Sequence, residues 1–316
     1  MAAYLLRRIL WLGPVLLFIS LVTFALMHLI EGGPWDEERP LPPEVIEQLN
    51  RQYGLDKPLW RQYLMFATNA LQGDLGRSYR YQGKPVTPII VSGIKVSGVL
   101  GVLALSLAVT AGVGLGVTAA LHRNRPVDYA GVAFASMGSA VPGFVLGIVL
   151  IYLFGVKVHW FASFGWDVKH GILPGWLPPL RQLVLPLVTL AALPAAYLAR
   201  VTRASLLDVL SQDYMRTARA KGLRGSTVLR RHAMRNAVIP IVTIVGPMTV
   251  ALVTGSFIVE QIFSIPGTGR MFVLSVNARD YGLIMGTTLF YATVIVLANL
   301  MVDIAYAFCD PRIRYQ

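Results

Sequence analysis

Long uncharged stretches alternate with short charged ones along the 316 residues of the chain. Six apolar runs, about 9–30, 97–121, 129–154, 183–201, 239–262 and 283–308, are each long enough to cross roughly 30 Å of hydrocarbon as a helix. None alternates apolar with polar residues at period two, the pattern a membrane β-barrel requires. The pattern therefore predicts an all-α integral membrane protein with six transmembrane helices. Residues 31–96 read differently. After Leu41-Pro-Pro, the side chains of Ile46, Leu49 and Tyr53 share one face of a short helix, and Glu44, Glu47 and Arg51 fall elsewhere. Trp60 to Leu71 reads as a second short helix, followed by turn-rich GDLGRSY and QGKPVTP. The expected organisation is an N-terminal membrane helix (1–30), a small ordered segment outside the membrane (31–96), and a core of five further spans (97–316).

Three of the runs contain proline: Pro142 next to Gly143, Pro194, and Pro247 after Gly246. Each removes a backbone donor and clashes with the preceding turn, so these positions are hinge or path candidates, with ordinary kinking an equally good account of any one of them. No internal repeat is visible, which weighs against a secondary transporter built from inverted repeats.

Composition agrees with a membrane protein: 55% of residues are hydrophobic and 14% charged, with a mean hydropathy of +0.60. The first run follows Arg7 and Arg8 as a secretory signal would, yet its apolar part is too long and EGGPW follows in place of a small-residue cleavage site. It reads as a retained anchor. Cys309 is the single cysteine, which rules out an intrachain disulfide. Charge sets the expected orientation. Segments 1–8, 122–128, 202–238 and 309–316, with Arg200, hold 15 Lys/Arg against 4 acids, whereas the other loops hold 13 against 11. The positive set should face the cytoplasm, placing both termini and the loop 202–238 in the cytosol and 31–96 outside.

Within that loop, DYMRTARAKGLRGSTVLRRHAMRN (213–236) carries seven Lys/Arg and one acid. Anionic headgroups account for the charge but not for its arrangement. Ser211 or Asp213 can cap a short helix, Gly222 can end it in a left-handed conformation, and Arg219 and Lys221 suit its negative end. Gly225-Ser226 can then stop the chain and cap a second helix running towards Pro240. Ala218, Ala220 and Gly222 keep one surface small enough for another protein's backbone to approach. A docking knob fits this better than a nucleic-acid reader, because the loop has no hydrophobic core of its own and membrane spans flank it.

ARAKG followed by HAMRNAVIP resembles the cytosolic loop of permease subunits of ABC importers in the dipeptide, oligopeptide and nickel group. YLLRRILWLGPVLLF, QYGLDKPLWRQYL, GDLGRS, VEQIFSIPGTGR, RDY, NLMVD and DPRIR extend the resemblance, in the family's order, over nearly the whole chain. Where the wider superfamily has Glu-Ala-Ala, three residues and Gly, this chain has Arg216, Thr217, Ala218 and then Gly222. EGGP at 31–34 and IKVSG at 94–98 depart from the family's usual prolines and bear on the outer entrance or the substrate. The resemblance implies a type I importer permease in a bacterial or archaeal cytoplasmic membrane. It further implies a heterodimer with a second permease subunit, two ATPase subunits that bind ATP and magnesium, and an extracytoplasmic binding protein delivering short peptides or related solutes. Asp213, Tyr214, Arg216, Thr217, Ala218, Arg219, Ala220, Lys221 and Gly222 then form the ATPase-coupling element.

Chemistry of the chain's own is not apparent in the sequence. No GxxxxGK[ST] phosphate loop occurs, and the glycine-rich GVGLGV at 112–117 lies inside a span without a following lysine. HExxH and GxSxG are likewise missing. A secondary transporter or channel subunit remains the alternative, and the former would carry ionisable groups deep in its spans. Asp303 is the one clear case, four residues after Asn299 on the same helix face. It either fixes helix packing, the favoured reading because such carboxylates are often satisfied by a neighbouring helix, or lines a path. Glu260 reads as solvated or as a loop anchor.

Overall fold

The computed structural model describes residues 2–29, 32–35, 42–81, 83–173 and 175–309, and these are almost wholly helical. Among them, strand pairing is confined to two isolated bridges, Arg77 with Pro85 and Leu173 with Leu177. Helices α1 (Ala2–Leu29), α4 (Val86–Leu121), α7 (Leu180–Leu210), α10 (Met234–Val253) and α13 (Tyr281–Cys309) account for five of the six expected spans. The sixth, expected as one run over 129–154, is broken. Helix α5 (Pro126–Ala140) meets α6 (Gly143–Leu150), which continues as a wider helical turn over Ile151–Lys157, at 101°. Pro142 stands just before α6 in an extended conformation (φ −56°, ψ 135°), so it separates two helices, whereas Pro194 and Pro247 lie inside continuous ones. The fifth run also divides, with α10 ending before Gly255 and a short α11 (Phe257–Ile262) following.

The chain forms two compact units, Met1–Val96 with Pro266–Gln316, and Ser97–Ile265. In the first, α1 and α12 (Thr268–Asn277) pack on α13. Helices α2 (Pro43–Tyr53) and α3 (Leu59–Leu71) fulfil the two short helices read from the sequence, with Ile46, Leu49 and Tyr53 half-buried as expected. Tyr53 joins Trp35 and Tyr79 in a ring cluster with centroids 4.5–5.4 Å apart. Leu55 packs with Met27, and the Tyr63 hydroxyl lies 2.9 Å from that of Ser20, whereas Trp60 is 66% exposed.

Asp280 ties this unit together. Fully buried at the start of α13, its carboxylate accepts the Ser78 hydroxyl, the Tyr79 and Arg80 amides at 3.0 and 3.2 Å, and the Leu283 amide at 3.1 Å. One side chain thereby caps a membrane helix and holds the chain entering α4. Burial, and then the Asp280 charge, hold the Tyr79 phenol well above its ordinary pKa, so it stays protonated.

In the second unit, α5, α6 and α10 pack on α7, and α11 packs on α6 and α7. The glycines of GVGLGV serve helix packing. A Cβ at Gly112 would lie 2.6 Å from the Ala195 carbonyl oxygen, and one at Gly116 equally close to that of Ala199, so only glycine lets α4 and α7 approach this far. Glu260 is not solvated: it is fully buried and accepts the Ser97 hydroxyl at 2.7 Å, so of its two readings the loop anchor stands.

Removing the carboxylate in Asp280→Ala strands buried donors and should destabilise the protein by about 3 kcal/mol or more. Thermal unfolding of the detergent-purified chain reads this, and a wild-type melting temperature would contradict the role given to Asp280.

Candidate functional site

After α7 ends at Leu210, Gln212 turns extended (φ −72°, ψ 150°) and α8 (Asp213–Ala220) begins without a side-chain cap, so neither Ser211 nor Asp213 performs the capping expected of it. Asp213 instead occupies the first turn, where its charge suits the positive helix end. Met215 and Ala218, three apart and thus on one face, are buried (0% and 6% exposed) with Leu206, Ala120, Val228, Ala233 and Ala237. Asp213, Tyr214, Arg216, Thr217, Arg219, Ala220, Lys221 and Gly222 are exposed. Ala218 therefore does not belong to the small docking surface expected of it: it is the base on which α8 sits.

Gly222 does adopt the expected left-handed conformation (φ 74°), its amide donating to the Arg219 carbonyl at 3.0 Å. The next helix, α9 (Gly225–Thr227), starts at Gly225 with Arg224 before it, not with Gly225-Ser226 as its cap, and passes through a wider turn at Val228–Ala233 into α10. Asn236 donates from Nδ2 to the Tyr214 hydroxyl at 2.8 Å, bracing α8 against that return. The exposed Asp213–Arg216 pair, at 3.6 Å, adds little in high dielectric.

The base extends along α7. Arg203 donates from Nε and from an Nη to the two oxygens of Asp128 at 2.6 and 2.8 Å, and the Asn124 amide donates to the same carboxylate at 3.0 Å. Asp128 is 2% exposed. Arg200 reaches α5 as well, donating to the Ala135 carbonyl and the Ser139 hydroxyl at 3.0 and 2.8 Å. Charge counting placed Asp128, Arg200 and Arg203 in the same set of segments without pairing them. The available signal was the lone acid of 122–128 beside the basic end of the fourth apolar run.

The structure gathers the coupling candidates on α8 but disperses the path candidates. Pro142, Pro194 and Pro247 belong to the second unit, and Asn299 is exposed on α13 in the first. The side chain of Asp303 lies outside the described residues, as do Glu31 and Leu41. Within the first unit, a cavity of about 230 Å³ is lined by His28, Tyr53, Gln62, Asn69, Tyr79 and Tyr281 among others.

Residues 112–315 match the family described as binding-protein-dependent transport system inner membrane component, and residues 1–113 match its N-terminal counterpart. The chain belongs to this family. It is a membrane-spanning transport permease subunit. It is 40% identical over 314 residues, 99% of this chain and 98% of the relative, to the dipeptide transport system permease protein of Bacillus subtilis. It is 36% identical to the oligopeptide transport system permease protein of Escherichia coli K12, and 41% to the glutathione transport system permease protein of Pectobacterium atrosepticum, each over 100% of both chains. Among solved structures, an inward-facing MetNI methionine ABC transporter superposes with a TM-score of 0.56 at 16% identity, covering 70% of this chain and 96% of that one. An amino acid ABC transporter gives 0.52 at 17% identity over 69% and 93%. The fold is that of type I ABC importer permeases.

Because Ala218 is buried and Gly222 is not, the two should respond differently. Ala218→Arg forces a charge into the α8 base, costs roughly 3 kcal/mol or more, and should open residues 213–236 to trypsin. Gly222→Val meets no neighbouring atom and costs only about 1 kcal/mol for its backbone, leaving protease resistance in place. Equal protease sensitivity of the two variants in detergent would contradict this division.

Proposed function

We propose that this permease is one half of the membrane path of an ATP-driven importer of short peptides or related small solutes. The observation that carries the reading is the construction of α8, a short helix with an apolar base held to its own chain and an outer surface given over to Tyr214, Arg216, Thr217, Arg219, Ala220, Lys221 and Gly222. A surface braced from behind and free in front is what a lever needs, since force applied to α8 passes directly to α7 and α10. The partner that pushes on it is an ATPase subunit, which binds the ATP and magnesium and performs the hydrolysis. This chain contributes no catalytic group.

The peptide-transport names of its relatives support the substrate class, and the family's dependence on a binding protein supports an extracytoplasmic partner. A homologous second permease subunit completes the path. Basic segments set the orientation: both termini and α8 lie in the cytosol, α2 and α3 lie outside, and the membrane is the cytoplasmic one of a bacterium or archaeon. ATP-driven closure of the ATPases moves the α8 elements and reorients the spans, exchanging outward and inward access. The α5–α6 break at Pro142 is the natural place for that bending.

Ala220 provides the cleanest test, being exposed and outside the α8 base. Bulk there acts only through a partner. In the reconstituted complex, Ala220→Trp should lower substrate-stimulated ATP hydrolysis and peptide uptake by roughly tenfold, the equivalent of ~1.4 kcal/mol, with the melting temperature of the chain unchanged. Wild-type stimulation in this variant would show that α8 is not the coupling element.

A further inference from the structure

Helix α3 lies beside the membrane-spanning part of α1, not beyond its end. The Tyr63 and Ser20 hydroxyls share a hydrogen bond at 2.9 Å, and the Tyr63 ring meets that of Phe24 edge-on with centroids 5.4 Å apart. Phe66, one turn further along α3, packs against the cluster of Met27, Tyr281 and Met285. The part of α1 apolar enough to cross the membrane is Leu10–Leu29, 20 residues or about 30 Å, which only just matches the hydrocarbon. Ser20 stands nine residues before its end and Phe24 five, about 14 and 8 Å along the helix. Raising α3 clear of the membrane would raise Phe24 with it. Sixteen residues after Arg8, about 24 Å, would then have to cross roughly 30 Å, which is too few.

The surface of α3 is divided to match. Trp60, Leu64 and Leu71 are all exposed, Leu71 to 90%, and at about 100° per residue they fall within about 40° of one another. Arg61, Met65, Thr68 and Asn69, also exposed, occupy the neighbouring sector, while Tyr63, Phe66 and Ala70 turn towards the protein; Leu59 is exposed at the first position. Helix α2 provides the contrast within the same segment. Its exposed residues are mostly polar, Glu44, Glu47, Gln48 and Arg51 among them, with Val45 the one large apolar exception. On α1, Leu17, Phe18, Leu21 and Leu26 stay exposed at the level where α3 is attached, so the Trp60–Leu64–Leu71 stripe continues a surface that already faces lipid.

We propose that α3 is an interfacial helix whose Trp60–Leu64–Leu71 stripe is embedded among phospholipid acyl chains at the edge of the outer leaflet. Its three sectors then meet three surroundings: protein, hydrocarbon, and the headgroup layer, where Arg61 reaches the phosphates. Trp60 stands where interfacial tryptophans are enriched. The helix pins the segment after α1 to the membrane and leaves α2 as its water-facing part. The choice of leaflet rests on the orientation proposed above; the contact with lipid does not.

The complex of this chain with cysteine-free partner subunits, carrying Leu64→Cys, Leu71→Cys or Glu44→Cys in a Cys309→Ser background, is labelled with a nitroxide and reconstituted in vesicles of phosphatidylethanolamine and phosphatidylglycerol. In Leu64→Cys and Leu71→Cys, relaxation by oxygen, which concentrates among acyl chains, should exceed relaxation by a water-soluble nickel chelate several-fold, and in Glu44→Cys the order should reverse. Phospholipids brominated along their chains should quench Trp60, read without any label as the quenching lost in Trp60→Phe, a conservative change at an exposed position. Chelate outpacing oxygen in Leu64→Cys and Leu71→Cys would put the stripe in water, and shielding from both would put it beneath another protein. Equal quenching of wild type and Trp60→Phe would leave Trp60 outside the chains. Each of these results would overturn the proposal. An impermeant maleimide should label Glu44→Cys in intact cells; labelling only after the cells are opened would overturn the outer-leaflet assignment together with the orientation beneath it, and the oxygen-to-chelate ratio would still decide the contact with lipid.

Discussion

A buried backbone amide or carbonyl has no water to pair with, and this sets the terms wherever a helix of the chain stops inside the packed structure. A helix is self-sufficient; its ends are not. At the head of α13 the open amides fall to Asp280, which gathers donors from residues 78–80 as well as from its own helix. The α10–α11 break carries a second buried carboxylate, Glu260, bonded to Ser97, while the Ser256 hydroxyl accepts the Val259 amide at the start of α11. Buried acids thus serve structure in both units, and neither is free for transport chemistry.

The same economy separates support from contact in the loop that carries α8. Met215 and Ala218 give α8 a footing among Leu206, Val228 and Ala237, and the paired Asp128 and Arg203 fix α5 to the stretch of α7 that precedes it. A bidentate, largely buried arginine–carboxylate pair holds direction as well as position. Packed side chains thus connect α8 directly to α7 and α10. The Lys and Arg residues of 213–236 remain outside this base, available to headgroups or a partner.

What the sequence made legible was local. Span existence follows from the length of apolar runs, and α2 and α3 from periodicity that needs no partner to be recognised. The family was legible too, because its signatures are contiguous. Edges and pairings were not. Helix α4 starts at Val86, well before its apolar run, because Val86 and Ile90 are buried by Leu283, some two hundred residues away. Pro142 announced a disturbance, but whether proline bends a span or divides it depends on the helices that pack around it. Ala218 looked like part of a small outer surface because its covering residues, Ala120 and Ala237 among them, lie on other helices. Asp280 passed without notice for the same reason, its amide donors at Tyr79 and Arg80 being 201 and 200 residues distant.

The account as a whole requires that α8 and residues 31–96 lie on opposite sides of the membrane. Thiol accessibility in intact cells tests this on the chain itself, with Arg224→Cys and Lys84→Cys placed singly in a Cys309→Ser background. A membrane-impermeant maleimide should label Lys84→Cys directly and Arg224→Cys only after the membrane is opened. Labelling of Arg224→Cys from outside would invert the topology and remove α8 from the reach of any ATP-hydrolysing partner.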